Sequence, residues 1–190
     1  KTWLKIDFND PSHPVLTVDV DTSAQLTKEM LPWLKGYGIT LPFYQTRGVT
    51  TVKLAIAVAL NHIHVSAKGY FKTDEATFNF SNTDIDVNNV LVNLKDTDVD
   101  IQNLNASLLD NAINAELKGK INPVKQTGKF DIALKRVHFE NDGNVFEMDP
   151  QYTPLNFSYL IKPNKDRLTI PKSYWLFNQS PITINPVHAP

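Results

Sequence analysis

From residue 49 to residue 137, polar and apolar positions exchange at almost every step. In Thr50-Thr51-Val52-Lys53-Leu54-Ala55-Ile56-Ala57-Val58-Ala59-Leu60 the large apolar side chains fall on even numbers and the small or charged ones on odd numbers. A β-strand sends successive side chains to opposite faces, so the pattern predicts an extended antiparallel sheet with one apolar and one polar face. Ile63, Val65, Ala67, Gly69 and Phe71 share a face against His62, His64, Ser66, Lys68, Tyr70 and Lys72. The arrangement repeats with Ile113, Ala115, Leu117, Gly119 and Ile121, and again with Phe130, Ile132 and Leu134. Asn, Asp and Gly punctuate the run near Thr73-Asp74, Ser81-Asn82, Lys95-Asp96, Asp110-Asn111 and Asn122-Pro123. At Asn88-Asn89 the parity slips by one, which predicts a β-bulge.

The flanks differ in texture. Residues 1–22 read as two short strands, from Trp3 to Phe8 and from Val15 to Val20, joined by a Pro and Asx turn. Residues 23–35 are the one helix candidate: Thr22 and Gln25 have capping-box spacing, and Leu26, Met30 and Trp33 or Leu34 fall on one side. Pro32 is expected to end or kink that helix, and Gly36 and Gly38 allow a tight exit. Residues 138–190 hold seven of the twelve prolines and lose the alternation, which predicts short edge strands and loops. Within them, Asp142-Gly143 marks a hairpin, and Asn156-Phe157-Ser158-Tyr159-Leu160-Ile161 and Ser173-Tyr174-Trp175-Leu176-Phe177 are the best strands. The expected organisation is one module of 190 residues: short strands plus helix over 1–47, a continuous sheet over 48–137, and a proline-rich tail. Because the chain opens on Lys1 without a signal peptide, it is expected to be part of a larger protein.

Two internal echoes fit a meander of similar strands. Asp84-Ile85-Asp86-Val87-Asn88-Asn89-Val90 is answered by Asp98-Val99-Asp100-Ile101-Gln102-Asn103-Leu104, and Ala67-Lys68-Gly69-Tyr70-Phe71 by Leu117-Lys118-Gly119-Lys120-Ile121. Composition removes several function classes. A net charge of −1 with scattered basic residues argues against nucleic acid as a partner. The absence of cysteine excludes disulfides, thiol catalysis and cysteine metal sites.

The chemical candidates have plainer explanations. Asp84-x-Asp86-x-Asn88 imitates the start of a calcium loop, but Asn89 stands where that loop needs glycine and Lys95 where it needs glutamate. Strand alternation accounts for it, with Asp and Asn outward and Ile85 and Val87 inward. His62 and His64 share one face without a third ligand in the same strand. No nucleophile elbow, P-loop or dinucleotide fingerprint is present. The four sequons, at Asn79, Asn105, Asn156 and Asn178, are expected by chance in so asparagine-rich a chain. Neither an enzyme, a cofactor nor a metal site is expected.

Leu31-Pro32-Trp33-Leu34, then Gly48-Val49 opening a strand, Gly69-Tyr70-Phe71 with Phe78, the Ile85, Val87 and Val90 strand, and Leu117-Lys118-Gly119-Lys120-Ile121 together resemble the AsmA/TamB/YhdP superfamily. The likeness covers residues 25–137 and rests on strand rhythm and glycine placement. It implies a mainly β fold: an elongated, twisted antiparallel sheet curled into a groove, with one short helix near the N-terminus. It also implies a periplasmic lipid-transfer module of the bacterial envelope, whose groove carries phospholipid acyl chains between inner and outer membrane. The implied partners are phospholipid or another acyl-chain lipid, neighbouring modules of the same chain, and the inner membrane through an anchor outside this sequence. The residues expected to line the groove are Val52, Leu54, Ile56, Val58, Leu60, Ile63, Val65, Phe71, Ile85, Val87, Leu91, Val99, Ile101, Ile113, Leu117, Phe130, Ile132 and Leu134. The same alternation also suits a closed β-sandwich or barrel, a structural or adhesive module without ligand.

Overall fold

The computed structural model describes residues 2–7, 13–32, 43–61, 64–80, 82–122, 124–163 and 167–189. They build one antiparallel sheet of fifteen strands that is not closed into a barrel. The first nine are β1 (Thr2–Asp7), β2 (Val15–Ala24), β3 (Phe43–Gly48), β4 (Thr50–Ala59), β5 (His64–Phe80), β6 (Thr83–Lys95), β7 (Asp98–Leu108), β8 (Ile113–Asn122) and β9 (Thr127–Asn141). They are followed by β10 (Asn144–Met148), β11 (Leu155–Ile161), β12 (Arg167–Ile170), β13 (Ser173–Phe177), β14 (Ser180–Ile184) and β15 (Val187–Ala189). A single connected sheet replaces the alternative of a closed sandwich or barrel.

From β4 to β9 each strand pairs with the next, so the predicted meander is the observed topology. Its turns follow the punctuation read in the sequence except at Thr73-Asp74, which is corrected from a strand break to a bulge inside β5. The β6–β7 hairpin closes over Asp96-Thr97, with Asp96 at φ 55°, and β9–β10 closes over Asp142 and Gly143, at φ 49° and 75°. Two positive φ values in a two-residue loop match the right-handed twist of the flanking strands. β3 and β4 lie end to end against β5: Phe43 pairs with Phe80 and Gly48 with Ala76, then Thr51 pairs with Lys72 and Ala59 with His64. The joint between them is Gly48, at φ +87°, where a Cβ would collide with the backbone oxygen of Glu75.

The helix expected over 23–35 is corrected. Ser23 and Ala24 still belong to β2 and pair with Thr51 and Thr50. Thr22, the expected cap, faces Val52, while the Gln25 amide donates to the Gln45 carbonyl at 3.2 Å. The chain turns only after Thr27, whose carbonyl accepts from Met30 N at 3.1 Å, and Met30, Leu31 and Pro32 are helical. The β-branched and polar run Val18-Asp19-Val20-Asp21-Thr22-Ser23 suits a strand better than a first helical turn, and β4 offers a full edge to pair with. Residues 33–35 and the glycine exit lie outside the described residues, as do Phe8 and most of the turn after it.

The proline-rich tail forms edge strands. β9 branches: Gly128 to Leu134 pairs with β11, while residues 138–141 pair with β10. β10 continues through β13 to β14, and β11 through β12 to β15. Pro181 sits in β14, which has β13 as its one neighbour. Around the branch lies the densest packing, where Val137, Met148 and Leu155 are buried and Ile113, Leu134, Phe157, Ile170 and Trp175 pack against them. That cluster joins side chains from β8 to β13, so the sheet curls over itself at this end. Elsewhere, among the described residues, only Ala76 and Val87 of the apolar side chains are buried. The accessible surface is 12626 Å² for 21.5 kDa, against about 9,200 Å² for a compact globule of that mass.

Candidate functional site: the apolar side of the sheet

Cross-strand partners stand on the same side of a sheet, and neighbours along a strand on opposite sides. The register therefore sorts the residues. One row runs Val52, Phe71, Val92, Ile101, Gly119, Phe130, Tyr159 and Leu168, from β4 to β12. The next runs Val20, Leu54, Gly69, Leu94, Val99, Ile121, Gly128 and Ile161. Beyond these rows lie Ala76, Val87, Ala106, Ala115, Leu134 and Leu155, then Phe78, Ile85, Leu108, Ile113 and Val137. Among the described strand residues, no Lys, Arg, His, Asp or Glu falls on this side between β2 and β14.

Around these rows parity slips in four strands, β5, β6, β7 and β9, at levels staggered by a row or two, while β4 and β8 stay regular. β5 presents Thr73 and then Ala76, with exposed Asp74 and Glu75 between them, and β6 presents Val92 and Val87 across Asn88 and Asn89. Asn89 takes φ 54°. The register shifts again between Ile101 and Leu104 in β7, and opposite the step from Asn114 to Ala115 in β8, where β9 passes from Arg136 to Leu134. A register slip without an extra residue would turn one strand inside out. Each bulge instead sets two residues against one of its partner, so the side chains beyond it return to the same face and the apolar side stays continuous across bulged and regular strands alike.

Glycine placement shapes this surface. A Cβ on Gly119 would stand 2.5 Å from Phe130 Cδ1, so the glycine is what lets that ring lie across β8. Toward the branch, Phe146 stacks on Trp175 with centroids 5.2 Å apart and planes 9° from parallel. Phe139, Phe177, Ile182 and Ile184 remain substantially exposed on the same side. The few polar groups here satisfy one another: Thr50 Oγ1 and Thr73 Oγ1 are 2.7 Å apart, and Trp175 Nε1 donates to Ser173 Oγ at 2.9 Å. Gln45 accepts from Leu26 N at 2.9 Å through Oε1, while its buried Nε2 has no partner among the described residues.

Of the eighteen residues expected to line a groove, Val52, Leu54, Ile56, Val58, Phe71, Ile85, Val87, Val99, Ile101, Ile113, Leu117, Phe130, Ile132 and Leu134 share this side. Val65 pairs with Val58 in the backbone register. Leu60 lies in the turn after β4 and is exposed. Ile63 lies outside the described residues. Leu91 is corrected to the polar side, where it faces Lys72 and Asn103, because the slip at Asn89 reverses the parity on which it was placed. Sequence reasoning missed Leu16, Val18 and Val20 on β2, Val92 and Leu94 on β6, and Phe157, Tyr159 and Ile161 on β11. Those on β2 and β11 lie outside the segment credited with the two-residue rhythm, whereas Val92 and Leu94 lie inside it and were passed over because the slip at Asn89 reverses the parity.

The opposite side carries the charges. Lys53 pairs with Asp21 at 3.4 Å, Lys120 with Asp100 at 3.6 Å and Lys129 with Asp131 at 2.9 Å. Such exposed pairs contribute little stability individually but keep this side in water. The calcium-loop imitation is part of that surface: Asp84 accepts from Asn79 Nδ2 at 2.6 Å, and Asp86 is held by Arg47 at 3.2 Å and Thr77 Oγ1 at 2.5 Å. His62 lies outside the described residues, and of His64 only the strand backbone is described. Among the described residues no helix is long and apolar enough to cross a membrane. No family model, curated protein or solved structure matches the chain.

Proposed function

We propose that this chain is a lipid-carrying module whose apolar side holds phospholipid acyl chains, with headgroups left in water at the rim. Its place would be the periplasm, as one module of a longer membrane-anchored protein that moves lipid between inner and outer membrane. The observation that carries this reading is the continuous apolar side of an open sheet, on which no described strand residue between β2 and β14 is charged and few of the described apolar side chains are fully buried. A surface of that size left to water is unfavourable, and a soluble protein that keeps one has something to place on it. From β2 to β12 the rows cross eight inter-strand gaps, about 38 Å, which exceeds the length of an acyl chain.

The energetics need no catalytic group. At about 0.8 kcal/mol per buried methylene, ten methylenes covered to half supply about 4 kcal/mol. Without a charge or a specific donor along the rows, a chain is held equally well at successive positions, so sliding meets only small barriers. Native mass spectrometry of the purified protein tests the reading. Adducts at phospholipid masses are the expected result. A lipid-free, thermally robust monomer that takes up no fluorescent acyl probe would instead identify a ligand-free structural module.

A further inference from the structure

The outermost apolar row runs Gln45, Phe78, Ile85, Leu108, Ile113 and Val137, from β3 to β9. A polar side chain opens it. Building on the lipid-carrying reading, we propose that Gln45 fixes the carbonyl oxygen of an acyl ester whose hydrocarbon tail runs along this row toward the branch. Gln45 is 2 % exposed and is clamped by one neighbouring segment. Its N–H donates to the Leu26 carbonyl at 2.7 Å, its own carbonyl accepts from Gln25 Nε2 at 3.2 Å, and its Oε1 accepts from Leu26 N at 2.9 Å. Because Leu26 N can only donate, it holds Oε1 on its own side and turns Nε2 away. Among the described residues, Nε2 is the one buried side-chain polar atom without a partner. A buried donor left unpaired is destabilising, so its presence in a native fold calls for an acceptor that the chain itself does not supply.

The surroundings select the acceptor. Phe78 is the cross-strand partner of Gln45 and Phe43 lies two residues along the same strand; their rings meet edge to face with centroids 5.7 Å apart. A hydroxyl would bring a proton of its own to this row of hydrocarbon side chains, whereas an ester carbonyl only accepts. The two ends of the row also differ. β3 has β5 as its one strand neighbour, so the Gln45 end lies at the sheet margin beside Gln25 and Leu26. Val137, at the far end, is buried with Met148 and Leu155. Half-buried Phe78, Ile85, Leu108 and Ile113 lie between, and the row crosses five inter-strand gaps, about 24 Å. A tail that starts with its carbonyl at Gln45 thus ends against packed side chains while its headgroup stays at the rim. The reverse orientation would leave the donor unpaired and press the ester into the cluster. Along the central rows a chain slides, whereas here its polar end is fixed.

The test is a titration of ¹⁵N-labelled protein with methyl palmitate and with hexadecane, each delivered from cyclodextrin, which share a hydrocarbon chain and differ in the ester. The expected result is a saturable shift of the Gln45 side-chain amide with methyl palmitate alone, and binding of the ester roughly tenfold tighter than that of the alkane. Gln45→Met keeps the length of the side chain and removes the donor, so it should lower the ester to the affinity of the alkane. Should that variant lose its native spectrum, the amide shift in the parent protein decides alone. A spin label at the methyl end of the ester should broaden the backbone amides of Leu108 and Ile113 and spare Phe78; the opposite pattern would overturn the orientation. Equal binding of ester and alkane with the Gln45 amide unmoved would overturn the role of Gln45 and leave the lipid-carrying reading standing, whereas binding of neither would overturn both.

Discussion

Ile101→Asp separates an open lipid-bearing surface from a packed core. Ile101 sits mid-sheet, faces Val92 and Gly119, and is half-buried. Removing a half-buried isoleucine costs about 1 kcal/mol of transfer energy. A carboxylate there still reaches water across the open side, so its desolvation adds only about another 1 kcal/mol rather than the full penalty of a buried charge. About 2 kcal/mol lowers the melting temperature of a chain this long by about 4–8 °C. Val137, 7 % exposed within the branch cluster, is the internal reference. Val137→Asp buries an unpaired charge, costs about 4 kcal/mol or more, and should abolish cooperative unfolding. Lys68→Asp, on the polar side, should stay within about 0.5 kcal/mol of the parent. Ligand affinity separates the variants further. Keeping about three methylenes off the new charge costs about 2.4 kcal/mol, so a fluorescent fatty acid should bind Ile101→Asp roughly 50-fold more weakly. Thermal circular dichroism and probe displacement measure both quantities. The reasoning is refuted if Ile101→Asp unfolds as Val137→Asp does, or if it stays folded with unchanged probe affinity.

Gly48→Ala should destabilise by about 2 kcal/mol, because φ +87° disfavours any Cβ and this one meets the Glu75 backbone; equilibrium urea unfolding reads the shift. Leu155→Ala, within the branch cluster, should cost about 2–3 kcal/mol with little effect on acyl-probe affinity, since it leaves the open rows intact. Glu116 has its carboxyl lowered from 4.5 to about 2, first by its hydrogen bonds to Lys118 and Lys135 and then by their charge. The native state therefore binds fewer protons than the unfolded state between those values, and stability rises with pH across that window. Glu116→Gln should flatten this rise in acid denaturation between about pH 4.5 and 2, and an unchanged slope would show that the two lysines do not hold the carboxyl in solution.

How far the fold could be read from the sequence depends on how local its causes are. The two-residue rhythm specified β4 to β9 because each strand must keep one side dry, and the Asp142-Gly143 turn because only such residues adopt two positive φ values cheaply. The slip at Asn88-Asn89 was visible too. Its companions in β5, β7 and β9 were not, since a slip can be assigned to a strand only when its neighbour's register is known, and the same blindness put Leu91 on the wrong side. The helix expected from residue 23 failed because capping-box spacing in Thr22 to Gln25 is weak beside the pairing that β4 offers to β2. In the tail, β10, β11 and β13 were legible as strands but β12, β14 and β15 were not, nor was the branch, because prolines report where pairing stops and not which edge is joined. The ion pair between Lys135 and Glu116 left no linear signature, because the two meet only through the pairing of β8 with β9.

The most direct test of the apolar side as the lipid site is a photo-crosslinking scan along β6, with a benzophenone amino acid placed singly at Ile85, Asp86, Val87, Val92, Asn93 and Leu94 and the protein incubated with radiolabelled phospholipid. The register predicts lipid adducts at Ile85, Val87, Val92 and Leu94 but not at Asp86 or Asn93, so the productive positions change from odd to even across Asn89. Adducts at none of them, at all of them equally, or at one parity throughout would contradict the account.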